Sequence, residues 1–227
     1  MRLILTIAMM VMPAIAWAQD APALKTEKDK LSYAMGMDLG AQLKARTVDI
    51  DPAIFARGLK DALSGAKTVL TEDEARALIA ELQKAQLARQ AALAKAVGDR
   101  NKTEGDAFLA ANKAKPGVVT LPSGLQYKIL TTGTGKKPTA ADTVVCQYRG
   151  ALINGKEFDS SYKRGEPAAF PVGKVIKGWT EVLQLMPVGS KWQVCIPSNL
   201  AYAERGSGAD IGPNATLVFE IELIAIK

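Results

Sequence analysis

After Pro52 the chain runs to Pro116 without another proline, whereas eight occur from Pro116 to Lys227. Proline removes a backbone donor and fixes φ, so a long proline-free stretch can sustain helix while a punctuated one is cut into short segments. That contrast divides the sequence near residue 118. The part from about 25 to 115 reads as helix, and the part beyond Pro116-Gly117 as short strands.

Local punctuation locates the helices. The first is expected over 28–45, where Leu31, Ala34, Met35, Met37, Leu39 and Leu43 make it apolar nearly all round, more than one shallow face requires. The second opens with Asp51 as N-cap and Pro52 at its first position, carries Ile54, Phe55, Leu59, Ala62 and Leu63, and stops at Gly65. Thr71-Glu72-Asp73-Glu74 is a capping box for the third, with acids suited to the helix dipole. Continued to residue 114, this helix would extend about 65 Å. Leu78, Ile79 and Leu82 start an apolar stripe that almost vanishes after Val97, and Gly98 and Gly105 each cost about 1 kcal/mol against alanine. The expectation is an exposed stalk that bends near Gly98. Two short apolar helices and half a stalk make a small core for one chain, so pairing with a second copy is expected, the alternative being a three-helix bundle folded back on itself.

Beyond Gly117, alternating runs at 126–130, 143–149, 191–196 and 216–226 read as strands, with a brief helix over 178–186 starting at Trp179. The fold class is α+β: an N-terminal all-α dimerisation domain with a long stalk helix, then an antiparallel sheet wrapped on one short helix.

The sequence contains no histidine. That excludes Ser-His and Cys-His nucleophiles, an imidazole general base and most catalytic zinc sites, and no metal or cofactor is called for. The formal charge of +6 is spread thinly, with 16 basic and 14 acidic side chains in 19–118 and 12 and 9 in 119–227. No Lys/Arg block interleaves with aromatics, so nucleic acid is not an expected partner. Arg2, the apolar run 3–15 and Ala16-Trp17-Ala18 form a signal peptide with cleavage after Ala18. The run is shorter than the roughly 18 to 20 residues of a spanning helix, which disfavours the alternative of an uncleaved anchor. Export to the periplasm without stable membrane insertion is expected, with association to the outer membrane as a second placement. Cys146 shares a strand face with Val144 and Tyr148, while Cys195 lies opposite Trp192, Val194 and Ile196. Alternation therefore points one thiol into the core and the other away from it, and both are expected to be unpaired.

Five collinear strings carry a more specific signal: PSGLQYKIL (122–130), GALINGKEFDSSYKRGEP (150–167), GKVIKGWTEVLQLMPVGSKW (173–192), IPSNLAYAERG (196–206) and NATLVFEIELI (214–224). Through them the segment 119–227 resembles the FKBP-type peptidyl-prolyl cis-trans isomerase domain along its whole length. The arrangement of signal, two short helices and long stalk helix resembles that of the Mip/FkpA type, bacterial dimers with an FKBP domain on each arm, a likeness of architecture that covers 19–118. The resemblance implies an isomerase acting on X-Pro bonds of unfolded or proline-containing proteins, open to macrolide inhibitors of the FKBP type, and a homodimer. A holdase chaperone with isomerase activity secondary is the alternative function.

The resemblance also implies a proline pocket. Trp179 would be its floor, Tyr148, Phe158 and Phe219 its aromatic walls, Val175 and Ile176 its rim, with Phe170 and Ile211 completing it. Tyr202 would offer its hydroxyl to a substrate carbonyl, and Asp159 and Arg164 would supply a polar edge, tied together. Asp159, Tyr202, Phe158 and Trp179 are the implied catalytic residues. Such residues suit the chemistry. Isomerisation needs no proton relay, only relief of an amide-resonance barrier of about 18–20 kcal/mol. A dry aromatic pocket favours the twisted, less dipolar amide over the planar one. Three positions depart from the family pattern: Ala168 stands where an aromatic is frequent, Tyr202-Ala203 replaces the common Tyr-Gly and is expected to stiffen the loop that follows, and Ser207 stands where some members carry histidine.

Overall fold

The computed structural model describes residues 24–227. The expected signal peptide lies outside them. Each helix of the N-terminal part begins at a side chain that satisfies donors the first turn leaves open. Thr26 caps α1 (Glu27–Ala45) through a reciprocal box: its hydroxyl accepts from the Asp29 amide at 3.1 Å, and the Asp29 carboxylate accepts from the Thr26 amide at 2.9 Å. Asp51 caps α2 (Pro52–Ser64), which ends where Gly65 turns left-handed at φ 66°. Thr71 and Glu74 form the second reciprocal box, at the head of α3 (Glu72–Lys113). Packing divides the chain into two compact units, 1–75 and 76–227. In the first unit neither α1 nor α2 has a buried residue, and Leu31, Met35, Met37 and Ile54 are all exposed.

The second unit is built on a seven-stranded antiparallel sheet. Its strands are β1 (Val118–Thr120), β2 (Gln126–Thr131), β3 (Thr143–Leu152), β4 (Glu157–Ser160), β5 (Ala168–Pro171), β6 (Lys191–Ile196) and β7 (Leu217–Ile226), in the order β1-β2-β6-β7-β3-β4 with β5 paired to β3. One turn of helix, α4 (Ser161–Arg164), follows β4, and α5 (Lys177–Leu183) crosses the sheet. Strands β1, β4 and β5, of three or four residues, are too short to show the alternation that marks the others. One face of the sheet is the core: Val144, Cys146 and Tyr148 of β3, Trp192, Val194 and Ile196 of β6, and Phe219, Ile221 and Leu223 of β7 pack on Trp179, Val182 and Leu183 of α5. The approach is close because position 178 is glycine; a Cβ there would lie 2.5 Å from Ile196 Cγ2.

The opposite face is covered in part by the C-terminal half of α3, and here the expectation of an exposed stalk needs correction. The helix is continuous through Gly98. Its three buried residues are Gly98, Gly105 and Asn112, spaced by seven and therefore on one side. A Cβ on Gly98 would meet Pro213 and Asn214 at 3.2 Å, and one on Gly105 would meet Thr216 Oγ1 at 2.4 Å. The stripe that fades after Val97 is thus replaced by glycines and amides, because this part of the helix is a docked segment rather than an exposed stalk. Asn112 Nδ2 donates to Gln126 Oε1 at 2.9 Å, and Gln126 Nε2 donates to the Leu109 carbonyl at 2.9 Å. Cys195 points away from the core face as alternation requires, yet it is 2% exposed, because Asn112 lies over it with Nδ2 3.5 Å from Sγ. Both cysteines are free and buried. Burial pushes the Cys146 thiol up to about 12 and the Cys195 thiol up to about 11, so neither forms a thiolate at neutral pH.

Candidate active site

Seven segments of the second unit meet at a cleft of about 410 Å³. Strand β3 contributes Tyr148, β4 Phe158 and Asp159, β5 Phe170, the turn after β5 Lys174, Val175 and Ile176, α5 Trp179, the loop after β6 Tyr202, and β7 Phe219. Trp179 is 4% exposed and three rings stand edge-on to it: Tyr148 at 5.2 Å and 90°, Phe170 at 5.3 Å and 73°, and Phe219 at 5.3 Å and 83°. Phe158 meets Phe219 in the same fashion at 5.6 Å. Edge-to-face packing satisfies the ring quadrupoles and fixes each plane, so the walls are rigid as well as apolar. The Trp179 Nε1–H is buried without a hydrogen-bond partner among the described residues, so the floor offers the cleft no donor.

The polar edge is a closed triangle. Tyr148 Oη donates to Asp159 Oδ2 at 2.5 Å, Arg164 Nη2 donates to Tyr148 Oη at 2.6 Å, and Arg164 Nη1 donates to Asp159 Oδ1. Partial burial pushes the Asp159 carboxyl up, but the hydrogen bonds from Tyr148 and Arg164 and the Arg164 charge together outweigh it, and the group sits below its ordinary 3.8. Burial, with the hydrogen bond to Asp159, raises the Tyr148 phenol above its ordinary 10.0. The carboxylate stays charged and fully engaged, which leaves it unsuited to accept a proton. Strand β4 is pinned beside β3 by Ser161, whose hydroxyl accepts from the Tyr148 amide at 2.7 Å and bonds Gln147 Oε1.

Of the residues expected in the pocket, all line this cleft except Arg164 and Ile211. Arg164 is exposed and reaches the site only through Asp159 and Tyr148. Ile211 is buried in the core behind it, where a two-way backbone pair with Ser207, at 2.8 and 3.1 Å, turns it inward. Lys174 is the lining residue that sequence reasoning missed; an exposed lysine after Gly173 carries no periodic or motif signal. Tyr202 is 37% exposed and its hydroxyl has no partner among the described residues. Ala203 next to it adopts φ 49°, a left-handed conformation that alanine resists and glycine accepts, which explains the physical sense of the common Tyr-Gly pair.

Comparison with known proteins gives a consistent likeness. The model of the FKBP-type peptidyl-prolyl cis-trans isomerase domain matches residues 134–224, and that of the domain amino terminal to FKBP-type peptidyl-prolyl isomerase matches 28–129. The outer membrane protein MIP of Legionella longbeachae is 52% identical over 92% of this chain and 90% of its own length. The peptidyl-prolyl cis-trans isomerase Mip of Coxiella burnetii is 46% identical over 92% and 91%. Among solved structures, FkpA from Escherichia coli superposes with a TM-score of 0.71 at 33% identity, over 90% of this chain and 99% of that one.

Proposed function

The chain belongs to the family of FKBP-type peptidyl-prolyl cis-trans isomerases, and from that premise we propose that the cleft floored by Trp179 binds the proline ring of its substrates. Its reaction is rotation about X-Pro bonds. One observation carries the site assignment: a buried indole face held by three edge-on rings, at the bottom of an otherwise apolar cleft.

The resting amide is planar and dipolar, and rotation passes through a twisted form about 18–20 kcal/mol higher that has lost resonance and much of its dipole. Trp179, Phe170 and Phe219 take the pyrrolidine ring, Val175 and Ile176 border it, and water is displaced from the carbonyl that precedes proline. Without that water the planar form loses more stabilisation than the twisted one. Tyr202, with its free hydroxyl, donates to a substrate carbonyl. Asp159 holds Tyr148 and Arg164 in place and exchanges no proton.

The assignment extends to organisation and setting. The functional division follows residues 1–18 as signal, 19–118 as helical dimerisation part and 119–227 as isomerase domain, since every lining residue falls in the last. The bare apolar surfaces of α1 and α2 support a homodimer through that part. A leader pattern at the N-terminus and a relative named as an outer membrane protein support an envelope placement, and among the described residues no helix is long and apolar enough to cross a membrane. Clients are unfolded or proline-containing proteins, and ligands of the macrolide FKBP type would occupy the same cleft.

The test is a titration of ¹⁵N-labelled protein with a short Ala-Pro peptide. Shifts concentrated on the Val175, Ile176 and Tyr202 amides and the Trp179 indole, with acceleration of cis-trans exchange, are expected. Acceleration accompanied by shifts elsewhere would refute this cleft as the proline site.

A further inference from the structure

Tyr202 has no side-chain bond to hold it, and the residue after it is strained, so something else must fix where its hydroxyl points. The backbone supplies one anchor. The Asn214 amide donates to the Ala203 carbonyl at 2.8 Å, tying the two ends of the loop 203–214 together. Both residues at that bond are left-handed, Ala203 at φ 49° and Asn214 at φ 55°. Asparagine adopts that conformation readily and alanine does not, so the hold on Ala203 depends on Asn214 staying in place.

Asn214 is in turn seated on α3. Asn101 Nδ2 donates to the Pro213 carbonyl at 2.8 Å. One turn earlier, Gly98 lets Pro213 and Asn214 come so near that a Cβ on it would lie 3.2 Å from each, and Gly212 lies against Val97 and Asn101. Residues 212–214 thus run along just over one turn of the helix, from Val97 to Asn101, held by a single directional bond. We infer that Asn101 is a positioning residue for Tyr202: through the Pro213 carbonyl it fixes Asn214, through Asn214 the turn at Ala203, and so the hydroxyl that lines the cleft. The helix segment that carries Asn101 lies wholly outside 119–227, so the catalytic geometry depends on a residue that contributes nothing to the cleft wall. The inference rests on the reading of Tyr202 as a substrate-binding group.

The experiment compares full-length Asn101→Ala, Tyr202→Phe, the double variant and Asn112→Ala in a proline-peptide assay. Asn101→Ala is expected to lower kcat/KM about three- to tenfold and to change the same kinetic parameter as Tyr202→Phe, and the double variant should be no slower than Tyr202→Phe alone. Asn112→Ala removes buried amide bonds of the same helix, to Gln126 and Cys195, away from the loop. It should lower Tm yet leave kcat/KM within about twofold, which separates positioning from docking. Amide exchange at Asn214 should quicken in Asn101→Ala while exchange in β6 and β7 does not. If Asn101→Ala fails to fold, the isosteric Asn101→Asp, which cannot donate to the Pro213 carbonyl, takes its place. Full additivity of the two changes, or a loss equal to that of Asn112→Ala, would overturn the inference and leave Tyr202 untouched. A Tyr202→Phe as fast as the parent would instead overturn the reading of Tyr202, and this inference with it.

Discussion

Gly150 and Phe219 are register partners on β3 and β7, and a Cβ built on Gly150 would fall 2.6 Å from Phe219 Cε1 and 2.8 Å from the Phe158 ring. Two aromatic walls of the cleft therefore rest on a position where any side chain would displace them. Gly150→Ala must move Phe219 off the edge of Trp179 or push β4 away. Overpacking of this kind costs roughly 1–3 kcal/mol. The expected result is a folded protein with a lowered Tm and at least a tenfold loss of kcat/KM on a proline peptide. Unchanged activity would mean that the ring arrangement is not what the reaction uses.

The pH response follows from the polar triangle. Asp159 has a folded pKa below 3.8, so what its charge contributes is fully present above that value and lost as pH falls through the lower folded one. Tyr148 has a folded pKa above 10.0, so its contribution as a neutral donor is fully present below 10.0 and lost above the raised value. With no histidine in the chain, nothing in the triangle titrates between these limits. Peptide kcat/KM corrected for substrate ionisation should be flat from about pH 5 to 9. An inflection inside that window would point to a protonation step that the cleft does not contain.

If the cleft takes substrate as proposed, Lys174 sets the charge that a substrate meets. Within the cleft Asp159 is neutralised by Arg164, and Lys174 forms no ion pair among the described residues. Peptides with glutamate beside the proline should therefore be preferred over those with lysine, by up to about fivefold given the modest worth of an exposed charge pair. The preference should shrink with added salt and reverse in Lys174→Glu. A ratio indifferent to both salt and the substitution would show that Lys174 stays clear of bound peptide.

Legibility from sequence differed by element for physical reasons. Asp51, Pro52 and Gly65 delimit α2 because capping chemistry is local, and β6 occupies 191–196 because five consecutive residues alternate cleanly. The docked half of α3 was illegible as such because the signal of packing is usually apolar, and here the contact is made by Gly98, Gly105 and Asn112. Their spacing of seven was the one available clue. Burial of Cys195 followed from that same helix, so alternation alone could orient the thiol but not say what covers it. The cleft lining was reached through the family resemblance rather than through periodicity, since Tyr148, Trp179 and Tyr202 sit on three unrelated elements. Ile211 was expected in the lining and is not there, because its backbone pair with Ser207 turns it into the core, while Lys174 lines the cleft with no periodic or motif signal to mark it.

Ala203 offers a test of stored strain. A non-glycine residue in the left-handed region costs about 1–2 kcal/mol, while replacing alanine by glycine adds unfolded-state entropy worth about 0.5–1 kcal/mol. The two nearly cancel, with relief of strain slightly ahead. Ala203→Gly should leave Tm unchanged or raise it by a few degrees, whereas Ala→Gly on an exposed helix position such as Ala92 should lower it. A clear loss of stability in Ala203→Gly would show that the turn is not strained.

The apolar surface of α1 and α2 is hard to reconcile with a solitary chain. Helices α1 and α2 contain no buried residue, and Leu31, Tyr33, Met35 and Met37 of α1 are each more than half exposed, as is Leu63 of α2 at 80%. Leaving a side chain of this size in water instead of burying it forgoes roughly 1.5–3 kcal/mol. Ordered helices with so little cover need a partner, and a symmetric second copy is the commonest one. Methionines at the seam would pack its irregular gaps. The protein should therefore scatter light as a dimer at micromolar concentration. Met37→Glu should yield monomers or unfold α1 and α2 while peptide isomerisation survives, because the cleft residues and Asn101 all lie beyond those two helices. A mass near one chain for the parent protein would refute the dimer and require the apolar faces to be covered by something other than a second copy.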